Sequence, residues 1–140
     1  GCGKTTLLRQ IARELAGTQR RACVVDERCE IFPPGDFEKM PPLDLLSGIP
    51  KERAVQMALR TLSPQIILLD ELGTLEEHEE RFKNAVMRIL SGPYDVLASV
   101  KAQNTGFLRD IRRHPDCELY IITPENRNTL YAQLRREYNI

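Results

Sequence analysis

Gly1-Cys2-Gly3-Lys4-Thr5-Thr6 runs directly into a helical repeat of apolar residues, Leu7, Leu8, Ile11, Ala12 and Leu15, which Gly17 stops. The six residues match the second half of G-x-x-x-x-G-K-[ST], the phosphate-binding loop (P-loop, or Walker A) motif, whose first glycine would stand three residues before Gly1. The chemistry needs these residue types in this order. Gly3 lets the backbone approach an anion with no Cβ in the way. Backbone N–H groups from Gly1 to Thr6, at the start of the following helix, point at phosphate oxygens. Lys4 reaches the β- and γ-phosphates, and the Thr5 hydroxyl suits Mg²⁺. Gly1, Cys2, Gly3, Lys4, Thr5 and Thr6 are therefore the expected nucleotide-binding residues, with Lys4 also catalytic.

A glycine turn can carry Gly-Lys-Thr-Thr by chance, so the motif needs a partner. It has one in Ile66-Ile67-Leu68-Leu69-Asp70-Glu71, the Walker B form. A carboxylate just beyond a buried strand can hold Mg²⁺, which is the role expected of Asp70. Glu71 can orient or deprotonate the attacking water. The cofactors expected are ATP and Mg²⁺.

Outward from these two motifs, apolar runs separated by helical repeats imply an α/β fold with a mainly parallel sheet covered on both faces. The expected strands are Ala22 to Val25, Ile66 to Leu69, Val96 to Val100 and Leu119 to Ile122. Helices are expected from Lys51 to Leu62, from a Thr74–Glu77 capping box onward, around Phe107 to Ile111, and from Thr123-Pro124 to about Tyr138. Phe32 to Pro42, with four prolines and a glycine, reads as an irregular loop. Residues 1–140 thus form one domain, which enters partway through its Walker A loop with its first strand missing. Such a piece lacks the strand and glycine that brace the loop, so hydrolysis is expected of the parent protein rather than of the piece alone.

Twenty acidic and twenty basic side chains balance, which argues against a general nucleic-acid binder. No apolar run approaches the roughly 18–20 residues needed to span a bilayer. Cys2, Cys23, Cys29 and Cys117 are scattered without C-x-x-C spacing, which argues against a zinc site and for reduced cytosolic thiols.

Several further residues stand at strand ends or helix faces, each with two open readings. Glu27, in Asp26-Glu27-Arg28 after the first strand, is a second candidate for positioning water or part of a salt-bridged turn. Ser99 and Lys101 are candidate sensors of the γ-phosphate, Lys101 being equally readable as a surface lysine. Arg53 and Arg60 are candidate trans-acting arginines in an oligomer or part of a solvated face.

An acidic residue directly after the Walker B aspartate resembles the additional-strand catalytic-glutamate division of P-loop proteins, which includes RecA-like and secretion ATPases. There a further strand, here Val96 to Val100, lies between the P-loop and Walker B strands, in a three-layer sandwich. Val24 to Ile31 resembles the V-D-E-R-S-E-I segment of the stage III sporulation protein AA family. Leu43 to Lys51 and Leu62 to Gly73 resemble the same family, so that the likeness covers roughly residues 1–77. That resemblance implies a cytoplasmic ATPase related to secretion motors. It would be a hexameric ring, peripheral at a membrane, acting on membrane-channel proteins.

The C-terminal half departs from that pattern. Where the family has a T-x-H-like element, this chain has Ser99-Val100-Lys101-Ala102, and its histidines, His78 and His114, stand elsewhere. Tyr120 to Asn128 instead resembles the V-T-x-E-N-R-N ending of thermophile-type nucleoside triphosphatases. That likeness implies a stand-alone enzyme of broad NTP specificity, with Asn126 and Arg127 near base or phosphates, or Asn126 capping the last helix. A nucleotide-dependent switch with little turnover is a third reading.

Overall fold

In the computed structural model, which describes residues 3–35, 43–62, 64–72, 80–102 and 106–138, strand residues alternate between two hydrophobic cores. Cys23, Val25, Ile67 and Leu69 enter one, and Ala22, Val24, Ile66 and Leu68 enter the other. Side chains on a strand point to opposite faces with a period of two, so an uninterrupted apolar run requires cover on both sides.

The elements supply that cover. Helix α1 (Lys4–Ala16) leads to β1 (Ala22–Asp26) and β2 (Asp44–Ser47). Helix α2 (Lys51–Met57) closes with a π-type turn over Ala58–Leu62 and is followed by β3 (Ile66–Leu72). Then come α3 (Glu80–Ser91), β4 (Asp95–Val100), α4 (Gly106–Arg112) and α5 (Arg127–Glu137). Among the described residues four strands lie in the order β2-β1-β3-β4, and every pairing is parallel. Helices α2, α3 and α4 bury residues such as Val55, Phe82 and Leu108 on one face. Helices α1 and α5 bury Leu7, Ile11 and Leu130 on the other. This is the expected three-layer α/β arrangement, with β4 beside the Walker B strand.

The register places the functional candidates. Parallel strands end on the same side, so Asp26, Ser47, Asp70 and Ser99 gather at one sheet edge. Helix α1 begins at that edge, as a helix entered from a parallel strand must. Helix α5 is strapped to α1 by Tyr131, whose hydroxyl lies 3.0 Å from Glu14 Oε1, and by Arg135 at 3.6 Å from Glu14 Oε2.

Three sequence expectations change. Leu119 to Ile122 is not a strand, because a strand needs a ladder partner and β4 lies across a groove of about 640 Å³. The segment keeps a strand-like alternation all the same. Tyr120 and Ile122 pack inward, while Leu119 and Ile121 are 57% and 76% exposed. The short edge strand β2 was not anticipated. Helix α5 begins at Arg127 rather than at Thr123-Pro124, after a turn in which Thr123 and Asn126 bond reciprocally through backbone N–H and side-chain oxygen. The Thr74–Glu77 capping box and the 36–42 part of the proline-rich loop lie outside the described residues.

Candidate nucleotide site

Gly3 caps α1 in the left-handed region, at φ 94°, where a side chain is strained. A neighbouring side chain would also have to shift. A Cβ on Gly3 would lie 2.9 Å from both Cδ and Nη1 of Arg127. The glycine expected on chemical grounds is therefore also favoured by conformation. Gly1 and Cys2 lie outside the described residues.

Lys4 follows as the first residue of α1, and its ammonium points along the sheet edge. Nζ donates to Glu71 Oε2 at 3.3 Å and to the Val100 carbonyl at 3.4 Å. Lys101 approaches the other carboxylate oxygen, Oε1, at 3.9 Å. Glu71 is thus held between two lysines, one from the phosphate loop and one from the end of β4. Thr5 and Thr6 occupy the first turn of α1, partly exposed on the same edge.

Asp70 is 5% exposed. Ser99 Oγ donates to Asp70 Oδ1 at 3.2 Å and accepts the Glu71 N–H, also at 3.2 Å, so one hydroxyl on β4 orders both residues of the Walker B pair. Burial pushes the Asp70 carboxyl above the usual carboxylate value, and the Ser99 hydrogen bond opposes that rise. Glu30, Asp26 and Glu71 add negative potential that raises it further. A buried carboxylate among other carboxylates favours a cation. Asp70 and the Thr5 hydroxyl offer the hard oxygen donors that Mg²⁺ takes.

The Asp26-Glu27-Arg28 cluster divides by role. Asp26 is fully buried, and its oxygens accept the N–H groups of Glu30 and Phe32, each at 2.9 Å, which fixes the turn after β1. Arg9 of α1 braces that turn by donating to the carbonyls of Ile31 and Glu30 at 2.5 and 2.7 Å. Glu27 remains partly exposed, with its carboxylate 4.0 Å from Lys51 Nζ.

Lys51 escaped the sequence reading. It is nearly buried, and its ammonium donates to the Glu71 carbonyl. The signal available was its place at the start of a helix, where a cation opposes the helix dipole. Arg53 and Arg60 are exposed on α2 and its terminal turn, outside this cluster. His114 packs at the end of α4, with Nε2 3.0 Å from Ser91 Oγ. Asn126 stands at the N-cap of α5 without a side-chain cap bond; its amide instead donates to the Ile121 carbonyl at 2.8 Å and braces the turn that precedes Arg127.

Comparison with known proteins agrees with both likenesses seen in the sequence. The chain is 30% identical over 125 residues to stage III sporulation protein AA of Bacillus subtilis, covering 81% of this chain and 37% of that protein. The likeness extends well past the 1–77 stretch that the quoted segments cover. It is also 37% identical over 82 residues to the nucleoside-triphosphatase THEP1 of Thermofilum pendens, covering 56% of this chain and 45% of the relative. With the THEP1 protein of Pyrococcus abyssi it shares 32% identity over 84 residues, covering 60% and 43%. The chain therefore spans less than half the length of these relatives. No solved structure matches it. A family model described as NTPase matches residues 49–135, a stretch that holds Asp70, Glu71, Ser99 and Arg127, and the chain accordingly belongs to the NTPase family.

Proposed function

We propose that this chain is the core of a Mg²⁺-dependent nucleoside triphosphatase acting on ATP. The observation that carries the reading is the convergence of Lys4, Asp70, Glu71 and Ser99 at one sheet edge, across 67 residues between Lys4 and Glu71. Backbone N–H groups at the start of α1 and the Lys4 ammonium bind the phosphates. Glu71 accepts a proton from water as its oxygen attacks the γ-phosphorus, and the bond to the β-phosphate oxygen breaks to leave ADP and phosphate. Thr5 and Asp70 are the residues that would hold Mg²⁺, whose charge would offset that of the phosphates. Glu27, on the neighbouring strand end, is a second group for holding that water.

The groove beside β4 supports a further part of the proposal. It is lined by Leu8, Leu97, Tyr120, Ile122 and Leu130, and it runs along the open edge of β4 toward the start of α1. A parallel strand leading into the phosphate loop would fill it, complete the ladder for β4 and for Leu119 to Ile122, and hold the loop.

Likeness to a sporulation protein favours an ATPase coupled to a membrane channel, cytoplasmic and hexameric. A stand-alone enzyme of broad NTP specificity is favoured by Glu125-Asn126-Arg127-Asn128, within the stretch matched by the NTPase model. The deciding experiment measures turnover of ATP, GTP and CTP, with oligomeric mass, for wild type and Glu71→Gln. ATP preference with ring formation supports the coupled ATPase, and a monomer that turns over all three supports the stand-alone enzyme. Glu71→Gln should bind nucleotide and lose about 10²-fold or more in turnover. Equal turnover in the two proteins would leave a switch with no catalytic glutamate.

A further inference from the structure

Lys51 breaks two preferences at once. An ammonium costs free energy in the first turn of a helix, where the dipole is positive, and again when taken out of water. Lys51 is the first residue of α2 and is 7% exposed. Nothing about helix formation or core packing asks for a lysine there, so its polar contacts carry the explanation.

Two of them lie on neighbouring strand ends. Nζ donates to the Glu71 carbonyl near the end of β3, and stands 4.0 Å from Glu27 Oε2 just past the end of β1. The Glu71 main chain is consequently held at both polar groups, its carbonyl by Lys51 and its N–H by Ser99 Oγ at 3.2 Å. With the backbone fixed, the Glu71 carboxylate moves only by its own side-chain rotations, between Lys4 and Lys101. Glu27 gains a counter-charge that faces it toward the same edge. A compact ammonium on a long stem can serve a carbonyl and a carboxylate together, which no apolar residue of its volume can do.

We infer that Lys51 is a positioning residue for hydrolysis, which ties the Glu71 main chain to the Glu27 carboxylate and so sets where both glutamates meet the attacking water. The inference rests on the proposed role of Glu71. It assigns Lys51 no contact with nucleotide, and that separates it from Lys4.

The test compares Lys51→Met, Lys51→Gln, Lys4→Ala and Glu71→Gln in the parent protein with its phosphate loop complete, by kcat, KM, nucleotide Kd and melting temperature. Lys51→Met should lower kcat by about 10- to 100-fold, the scale of a misplaced catalytic group. KM and Kd should stay within about 3-fold, because phosphate binding is left intact. Lys51→Gln retains a donor and should recover part of kcat. Removing one partner of a buried ion pair destabilises by leaving the other charge uncompensated, and Glu27 is partly exposed, which limits that cost in Lys51→Met. A kcat loss at unchanged melting temperature is therefore positional. If Lys51→Met unfolds the chain, a folded Lys51→Gln decides the matter by the same kcat-against-KM split.

Unchanged kcat, or a loss confined to KM and Kd, overturns the inference. If Lys4→Ala and Glu71→Gln also leave turnover unchanged, the hydrolytic reading fails with it. If those two abolish turnover while the Lys51 variants do not, only the role of Lys51 fails.

Discussion

Lys4 Nζ and Glu71 Oε2 lie 3.3 Å apart although 67 residues separate them in the chain. The pair joins the start of α1 to the end of β3, and in the proposed function it places the lysine meant for phosphate on the carboxylate meant for water. In the proposed function nucleotide would draw Lys4 away, and Lys101, 3.9 Å from the other oxygen, would still hold Glu71.

The pair accordingly competes with nucleotide. Both side chains are about one-third exposed, so the ion pair is worth roughly 0.2–1 kcal/mol. Glu71→Gln should tighten ATP binding by about 1.4- to 5-fold while turnover falls. Titration calorimetry with a non-hydrolysable analogue measures this. Weaker binding would mean that Glu71 assists the nucleotide instead of opposing it.

Gly3→Ala should fail for two separable reasons. The left-handed φ of 94° costs about 1–2 kcal/mol for a residue with a Cβ. The added methyl must also displace Arg127 from 2.9 Å. Combining Gly3→Ala with Arg127→Ala should restore the steric part and leave the conformational part. By urea unfolding, the double variant should be more stable than additivity of the two single changes allows, whereas strict additivity would show that Arg127 does not press on the loop.

Asp70 should weaken the metal-free protein as pH rises. Burial raises its folded-state pKa above the ordinary value, opposed by Ser99 and reinforced by Glu30, Asp26 and Glu71. The folded state then holds the proton more tightly, so this contribution to stability is full below the ordinary carboxylate value and is lost as pH rises through the raised one. Asp70→Asn should be more stable than wild type at neutral pH, with the gap closing in acid, and should be inactive. Unfolding midpoints across pH read this directly, and a gap that widens in acid would be the wrong sign.

Cys23 should resist alkylation in the folded chain. It is fully buried on β1, and burial, with a smaller contribution from Asp44, pushes its thiol up to about 12. Iodoacetamide at pH 8 should modify Cys29, which is partly exposed, well before Cys23. Mass mapping after partial labelling checks the order, and early labelling of Cys23 would mean that β1 opens readily.

Sequence by itself determined the layer order and singled out the candidate residues of the central pair. Apolar runs such as Ile66 to Leu69 required cover on both faces, and the helical repeats beside them supplied it. The demands of phosphate chemistry singled out Gly3 and Lys4, and the acidic strand end singled out Asp70 and Glu71. Local pattern could carry these because each depends on the period of an element or on adjacent residues. Tertiary structure alone decided which groups meet across the sheet edge. Ser99 reaches both Walker B residues because β4 lies beside β3 in parallel register, and Arg127 reaches Gly3 because α5 is strapped to α1 through Glu14. Lys51 looked like one more charge on an amphipathic helix until β1 and β3 placed their ends around it. Leu119 to Ile122 marks the reverse case. Its sequence has strand character, but a ladder needs a neighbour, and neighbours are a property of the fold.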